Sequence, residues 1–137
     1  MKKVVPVAAA LIFISAFSLN AFGQKATRIK FARGATRANV SGTLNGYKSE
    51  KLFVIRVKAG QTLRTQQVGN SHDITIFIEN PEGEDVSDSD ASCNNRREVS
   101  PTEAGNYHIR VVECQKADRW RGRFRFRVSV SDGFHVE

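Results

Sequence analysis

Between Arg123 and Ser131 the side chains alternate without a break. Phe124, Phe126, Val128 and Val130 share one parity, and Arg123, Arg125, Arg127 and Ser129 share the other. Successive side chains of an extended strand point to opposite faces, so this run can bury its apolar set only as a strand with one dry and one wet face. The same period of two returns in Ile74, Ile76 and Ile78, and again in Tyr107, Ile109 and Val111. Leu52, Phe53 and Val54 follow one another, the pattern of a central strand covered on both sides. No long stretch keeps the i, i+3, i+4, i+7 spacing of an amphipathic helix. Strands are expected at 28–31, 37–44, 51–58, 62–67, 74–79, 97–99, 107–113 and 123–131, separated by clusters of Gly, Asn, Pro, Asp and Ser. This spacing predicts an all-β chain, an antiparallel β-sandwich of about eight strands, jelly-roll-like in its overall plan.

The first residues follow a different logic. Lys2 and Lys3 precede an apolar run from Val4 to Leu19, and Ala21, Phe22 and Gly23 make a small-x-small site before Gln24. A charged, then apolar, then small-residue layout is that of a secretory signal peptide, so residues 1–23 are read as an address and 24–137 as a single domain. A permanent anchor is the competing reading, but the run is short of the about 20 apolar residues that span a bilayer, and Pro6 interrupts its start. The expected location is periplasmic or secreted, with no transmembrane span after cleavage. In an exported chain the two cysteines, Cys93 and Cys114, are expected to form a disulfide. The loop it closes implies a stabilisation of roughly 3 kcal/mol. No CxxC motif points to redox work.

The 137 residues carry 21 Lys and Arg against 14 Asp and Glu, a net charge of +7 that falls to a mild basic excess once Lys2 and Lys3 leave. Export argues against nucleic acid as a partner. Catalysis finds no support, since GxSxG, HExxH and a Gly-rich phosphate loop are absent, and His72, His108 and His135 stand far apart. No enzyme activity and no cofactor are expected. Asp85, Asp88 and Asp90, with Glu82 and Glu84, crowd carboxylates into one segment and are weak candidates for Ca²⁺. Their spacing matches no EF-hand, and a solvated acidic loop facing Arg96 and Arg97 accounts for them without a metal.

Lys58, Ala59, Gly60 and Gln61 lie between apolar strands, where Gly60 can supply the positive φ of a tight hairpin. Pro101 to Tyr107 leads into a strand in the same way. With Asp73 to Ile76 and the turn Asn80, Pro81, Glu82, Gly83, these segments resemble the bacterial pre-peptidase C-terminal domain, a small β-sandwich appended to secreted proteins. Ile29 to Gly34, Val40 to Tyr47, Lys58 to Gln61, Ala104 to Val111 and the basic segment 115–123 resemble, more closely, the periplasmic inhibitors of g-type lysozyme. That resemblance implies an exported β-sandwich that inserts loops into the cleft of a lysozyme. It also implies a Ser-Gly-x-x-Tyr-like loop, for which Ser41 and Gly42 with Tyr47, or Ala104 to Tyr107, are the candidates here. Ala104 stands where the pattern has serine, and Cys93, Cys114 and the acidic segment 83–90 are additions to it.

The candidate partner contacts are therefore Ser41, Tyr47, Asn106, Tyr107, Lys116, Asp118, Arg119, Trp120 and Arg121. Aromatic and Arg side chains are the types enriched in binding hot spots. Tyr47 and Tyr107 can equally be half-buried strand residues, and Trp120 can cap the core, stack on a sugar or anchor a partner. Arg123, Arg125 and Arg127 form a cationic stripe spaced roughly 7 Å apart. It suits an anionic glycan, lipopolysaccharide or an acidic protein, or else guards an exposed sheet edge against unwanted pairing.

Overall fold

A computed structural model describes residues 25–46, 49–69, 73–87, 93, 96–114 and 120–133; residues 1–23, read above as a signal peptide, lie outside it. Among the described residues there is no helix, and none long and apolar enough to cross a membrane. Eight strands form two four-stranded sheets: β1 (Thr27–Arg28), β2 (Arg37–Leu44), β3 (Glu50–Val57), β4 (Gln61–Gln67), β5 (Ile74–Glu79), β6 (Arg96–Val99), β7 (Gly105–Glu113) and β8 (Gly122–Asp132). One sheet has the order β1-β3-β7-β5 and the other β2-β8-β4-β6. All pairings are antiparallel except β1 with β3, which is parallel.

Odd-numbered strands lie in one sheet and even-numbered strands in the other, so every connection crosses between sheets. The 58–60 turn is therefore not the hairpin expected from its chemistry. Gly60 does take a φ of 77°, but the turn is an arch between sheets, pinned from elsewhere in the chain. The Thr102 hydroxyl donates to Lys58 O at 2.6 Å and accepts the Gln61 N–H at 3.0 Å, while the Gly60 N–H donates to Thr102 O at 2.8 Å. The first strand also differs, being shorter than the expected 28–31. Ile29 N–H still donates to Val54 O, but beyond it the chain bends so that Phe31 packs on the core, and Ala35 N–H closes a turn onto Ala32 O.

The core is the space between the inner faces. Phe53, Ile55 and Val57 of β3, Ile74, Ile76 and Ile78 of β5, and Tyr107, Ile109 and Val111 of β7 meet Phe124, Phe126, Val128 and Val130 of β8. Val54, on the other parity of β3, is also buried, so the central strand is covered on both sides as its sequence predicts. At the centre Phe53 meets Phe126 edge-on at 5.4 Å between centroids, and Phe124 stacks beside Phe126 at 6.2 Å.

Gly42 of β2 lies against this cluster. A Cβ at that position would sit 2.6 Å from Phe124 Cζ and 3.0 Å from Cε1. Phe124 is itself buried between Phe53 and Phe126, so its ring has little room to yield. Gly42→Ala is expected to cost about 1–3 kcal/mol through overpacking, read as a lowered urea midpoint. Adding Phe124→Leu should recover part of that loss, and a Gly42→Ala midpoint equal to wild type would refute the crowding.

The expected disulfide between Cys93 and Cys114 is present, with 4.6 Å between Cα atoms. It fastens the connection between β5 and β6 onto the end of β7. Cys93 N–H donates to Thr75 Oγ1 and Cys114 N–H to Asp73 O, each at 2.7 Å.

Candidate functional site

The ladder register gathers several strand ends at one end of the sandwich. Leu44 lies opposite Gly122, Glu50 opposite Val112, and Ile74 opposite Glu113. From this end leave the connections 45–49, 68–73 and 114–121, which carry most of the candidate contacts. Of these, Trp120 and Arg121 are described, whereas Tyr47, Lys116, Asp118 and Arg119 lie outside the described residues. Arg121 is exposed and Trp120 half-buried, with its side chain packed against the core. The backbone N–H of Trp120 donates to Glu113 Oε1.

Glu113 is the residue that sequence reasoning passed over. It shares the inward parity of Tyr107, Ile109 and Val111 and is 2% exposed, so a carboxylate closes the dry face of β7. Oε1 takes the Trp120 N–H, and Oε2 has no partner among the described residues. Burying a carboxylate is unfavourable without hydrogen bonds, so the contact ties the backbone at Trp120 to a group that cannot easily move. The signal was in the sequence: an acid at an apolar position of an alternating run.

The other candidates are scattered. Ser41 and Gly42 sit inside β2, not in a loop; Ser41 is exposed and faces Arg125 across the ladder. Tyr107 is 2% exposed, its ring in the core and its hydroxyl accepting the Glu103 N–H at 2.9 Å. It therefore stiffens the turn before β7 and offers a partner no surface. Asn106 is half-buried on the outside of the first sheet, opposite Arg56, with Oδ1 unpartnered among the described residues. Hence Ser41 and Gly42 belong to a strand, and of residues 104–107 only Ala104, which is exposed, precedes β7.

Arg123, Arg125 and Arg127 are all exposed on the outer face of β8, as their parity predicts. Arg97 behaves differently from the solvated partner expected for the acidic segment. It is 3% exposed, its Nε donates to Ile76 O at 2.7 Å, and its guanidinium lies 6.0 Å from the Phe77 ring centroid. Arg110, opposite Phe77 in the ladder, covers the same ring at 4.4 Å on the outside of the first sheet.

The opposite end of the sandwich is acidic. Asn80 Oδ1 accepts the N–H groups of Glu82 and Glu84, which shapes their turn, and Asp85 Oδ1 accepts the Ser87 N–H at 3.0 Å. The Glu103 carboxyl is held above its usual range, first by the hydrogen bond it shares with Glu82 and then by repulsion from Glu82 and Glu84. Asp88 and Asp90 lie outside the described residues, and no group of three metal-ligating side chains converges among those described.

Two sheets joined only by crossing connections, with a tethered Trp at one end and a basic outer face, define a small all-β sandwich domain. The fold is that of PliG from Aeromonas hydrophila, a periplasmic inhibitor of g-type lysozyme, with a TM-score of 0.61 and 19% identity over 77% of this chain and 96% of that one. PliG of Salmonella Typhimurium, also a periplasmic inhibitor of g-type lysozyme, superposes with a TM-score of 0.58 and 14% identity, covering 80% of this chain and 100% of its own. The pre-peptidase C-terminal domain of a Bacillus anthracis collagenase is similar at a TM-score of 0.50 and 14% identity, over 82% and 100%. No protein-family model and no curated protein matches the chain.

Proposed function

We propose that the protein is exported, with residues 1–23 removed, and acts without catalysis as an inhibitor of a g-type lysozyme in the periplasm or outside the cell. The observation that carries this reading is the fold likeness to two PliG inhibitors over 96% and 100% of their chains. The loop end suits the task. A half-buried Trp whose backbone is held by a core carboxylate presents its exposed edge with little ordering entropy left to lose on binding. Arg121 beside it, and Tyr47, Lys116, Asp118 and Arg119 in the same connections, complete the contact set of this proposal.

The test is the rate of cell-wall lysis by a g-type lysozyme, with a c-type enzyme as control, against rising concentrations of the oxidised mature protein. Stoichiometric loss of the g-type activity alone is the expected result. Unchanged lysis at micromolar excess sinks the reading. Within it, Trp120→Ala should weaken inhibition by about 30-fold or more, the loss typical of a hot-spot aromatic. Trp120→Phe, which keeps the packing, should retain the melting temperature and lose less inhibition; equal inhibition by all three proteins would remove Trp120 from the interface.

A further inference from the structure

We propose that the outer face of the β2-β8-β4-β6 sheet is a second binding surface, for a linear anionic polysaccharide, distinct from the loop end assigned to lysozyme. Strand order carries the argument. Arginines on a wet strand often serve to keep an open edge from pairing with other chains. β8 is no edge: β2 pairs with it over residues 37–44 and β4 over residues 61–67, so its backbone is satisfied on both sides. Arg123, Arg125 and Arg127 thus run down an interior strand of the sheet, roughly 7 Å apart, where edge protection requires no charge and their mutual repulsion is uncompensated within the row.

The neighbours make the face more than a patch of charge. Thr43, Ser41 and Asn39 of β2 lie directly opposite Arg123, Arg125 and Arg127, and all three are exposed. On the other side Gln66 of β4 stands opposite Arg127, and Arg64 opposite Ser129. Each guanidinium therefore has a hydroxyl or amide beside it. Guanidinium groups bind carboxylate or sulfate in a bidentate fork, and the adjacent hydroxyls and amides match the hydroxyls of a sugar. Among the described strand residues of this face the only acid is Glu98 on the edge strand β6, and Arg64 already binds it at 2.5 Å. A depression of about 160 Å³ bordered by Arg64, Gln66, Arg96, Arg127 and Ser129 opens over β6, β4 and β8. No apolar side chain projects from these strands on this side to enter a lipid layer, which favours a polar polymer over a membrane.

The purified protein, with its disulfide formed, should be titrated with dextran sulfate and with neutral dextran of equal length, and mixed with vesicles of phosphatidylglycerol. Dextran sulfate should bind and neutral dextran should not, and affinity should fall roughly tenfold when ionic strength is raised severalfold. The triple variant Arg123→Gln, Arg125→Gln, Arg127→Gln should lose at least about tenfold in affinity while keeping its circular dichroism and melting profile. Arg28→Gln, Arg33→Gln, Arg56→Gln removes the same charge from exposed positions off this face and should bind like wild type. Equal losses in both triple variants would reduce the effect to net charge and overturn the proposal. So would vesicle binding without dextran sulfate binding, or a face variant that still binds at full strength.

Discussion

Phe126→Ala is expected to lower stability by about 3–5 kcal/mol, the range for a buried aromatic cut to a methyl. Phe126 is fully buried at the centre of β8. Truncation removes its edge contact with Phe53 at 5.4 Å and its stacking on Phe124 at 6.2 Å, and leaves a void between the two sheets. The void cannot close readily. β8 is bonded on both sides, opposite Val40 of β2 and Gln67 of β4 at this position, so its backbone cannot sink toward the other sheet. A domain of this size is stable by roughly 5–15 kcal/mol, so the variant would lose a large part of its margin. The urea midpoint followed by circular dichroism measures the loss. Phe126→Leu, which fills most of the space, should cost less than half as much. A loss under about 1 kcal/mol for the alanine variant would mean the sheets do close on the void.

Removing the disulfide through Cys93→Ala with Cys114→Ala is expected to cost about 3 kcal/mol. The two residues are 21 positions apart, and their backbone hydrogen bonds to Thr75 and Asp73 do not involve sulfur. The folded geometry at both positions should therefore survive, and most of the loss should come from the freedom gained by the unfolded chain. Wild type reduced with a thiol should unfold at the same midpoint as the double variant. An equal midpoint for oxidised and reduced protein would show that the 93–114 segment is already constrained when unfolded.

How much of this was legible beforehand depends on the range of each signal. The bounds of β2 and β5 match the expected 37–44 and 74–79, because the face a strand side chain takes is a local property repeating every two residues. The same parity placed Tyr107 inside and the arginines of β8 outside. The resemblance of residues 104–107 to a contact loop pointed the other way, and burial of Tyr107 followed the parity. Arg97 shares its parity with Val99, yet a charged residue is ordinarily read as solvated. Only the neighbouring strand β5, which supplies the Ile76 carbonyl and the Phe77 ring, makes an inward arginine tenable.

The sequence by itself thus determined that the chain is all β, where its strands after the first lie, which faces are dry, and that Cys93 and Cys114 are available to pair. Tertiary structure decided which sheet each strand joins. A turn such as 58–60 has the same local chemistry in a hairpin and in an arch, and the choice rests on Thr102, a residue distant in sequence. It also decided that the arginine row is interior to its sheet, and that a core carboxylate holds Trp120. Strand order and cross-chain hydrogen bonds are properties of pairs far apart along the chain, and no local periodicity encodes them.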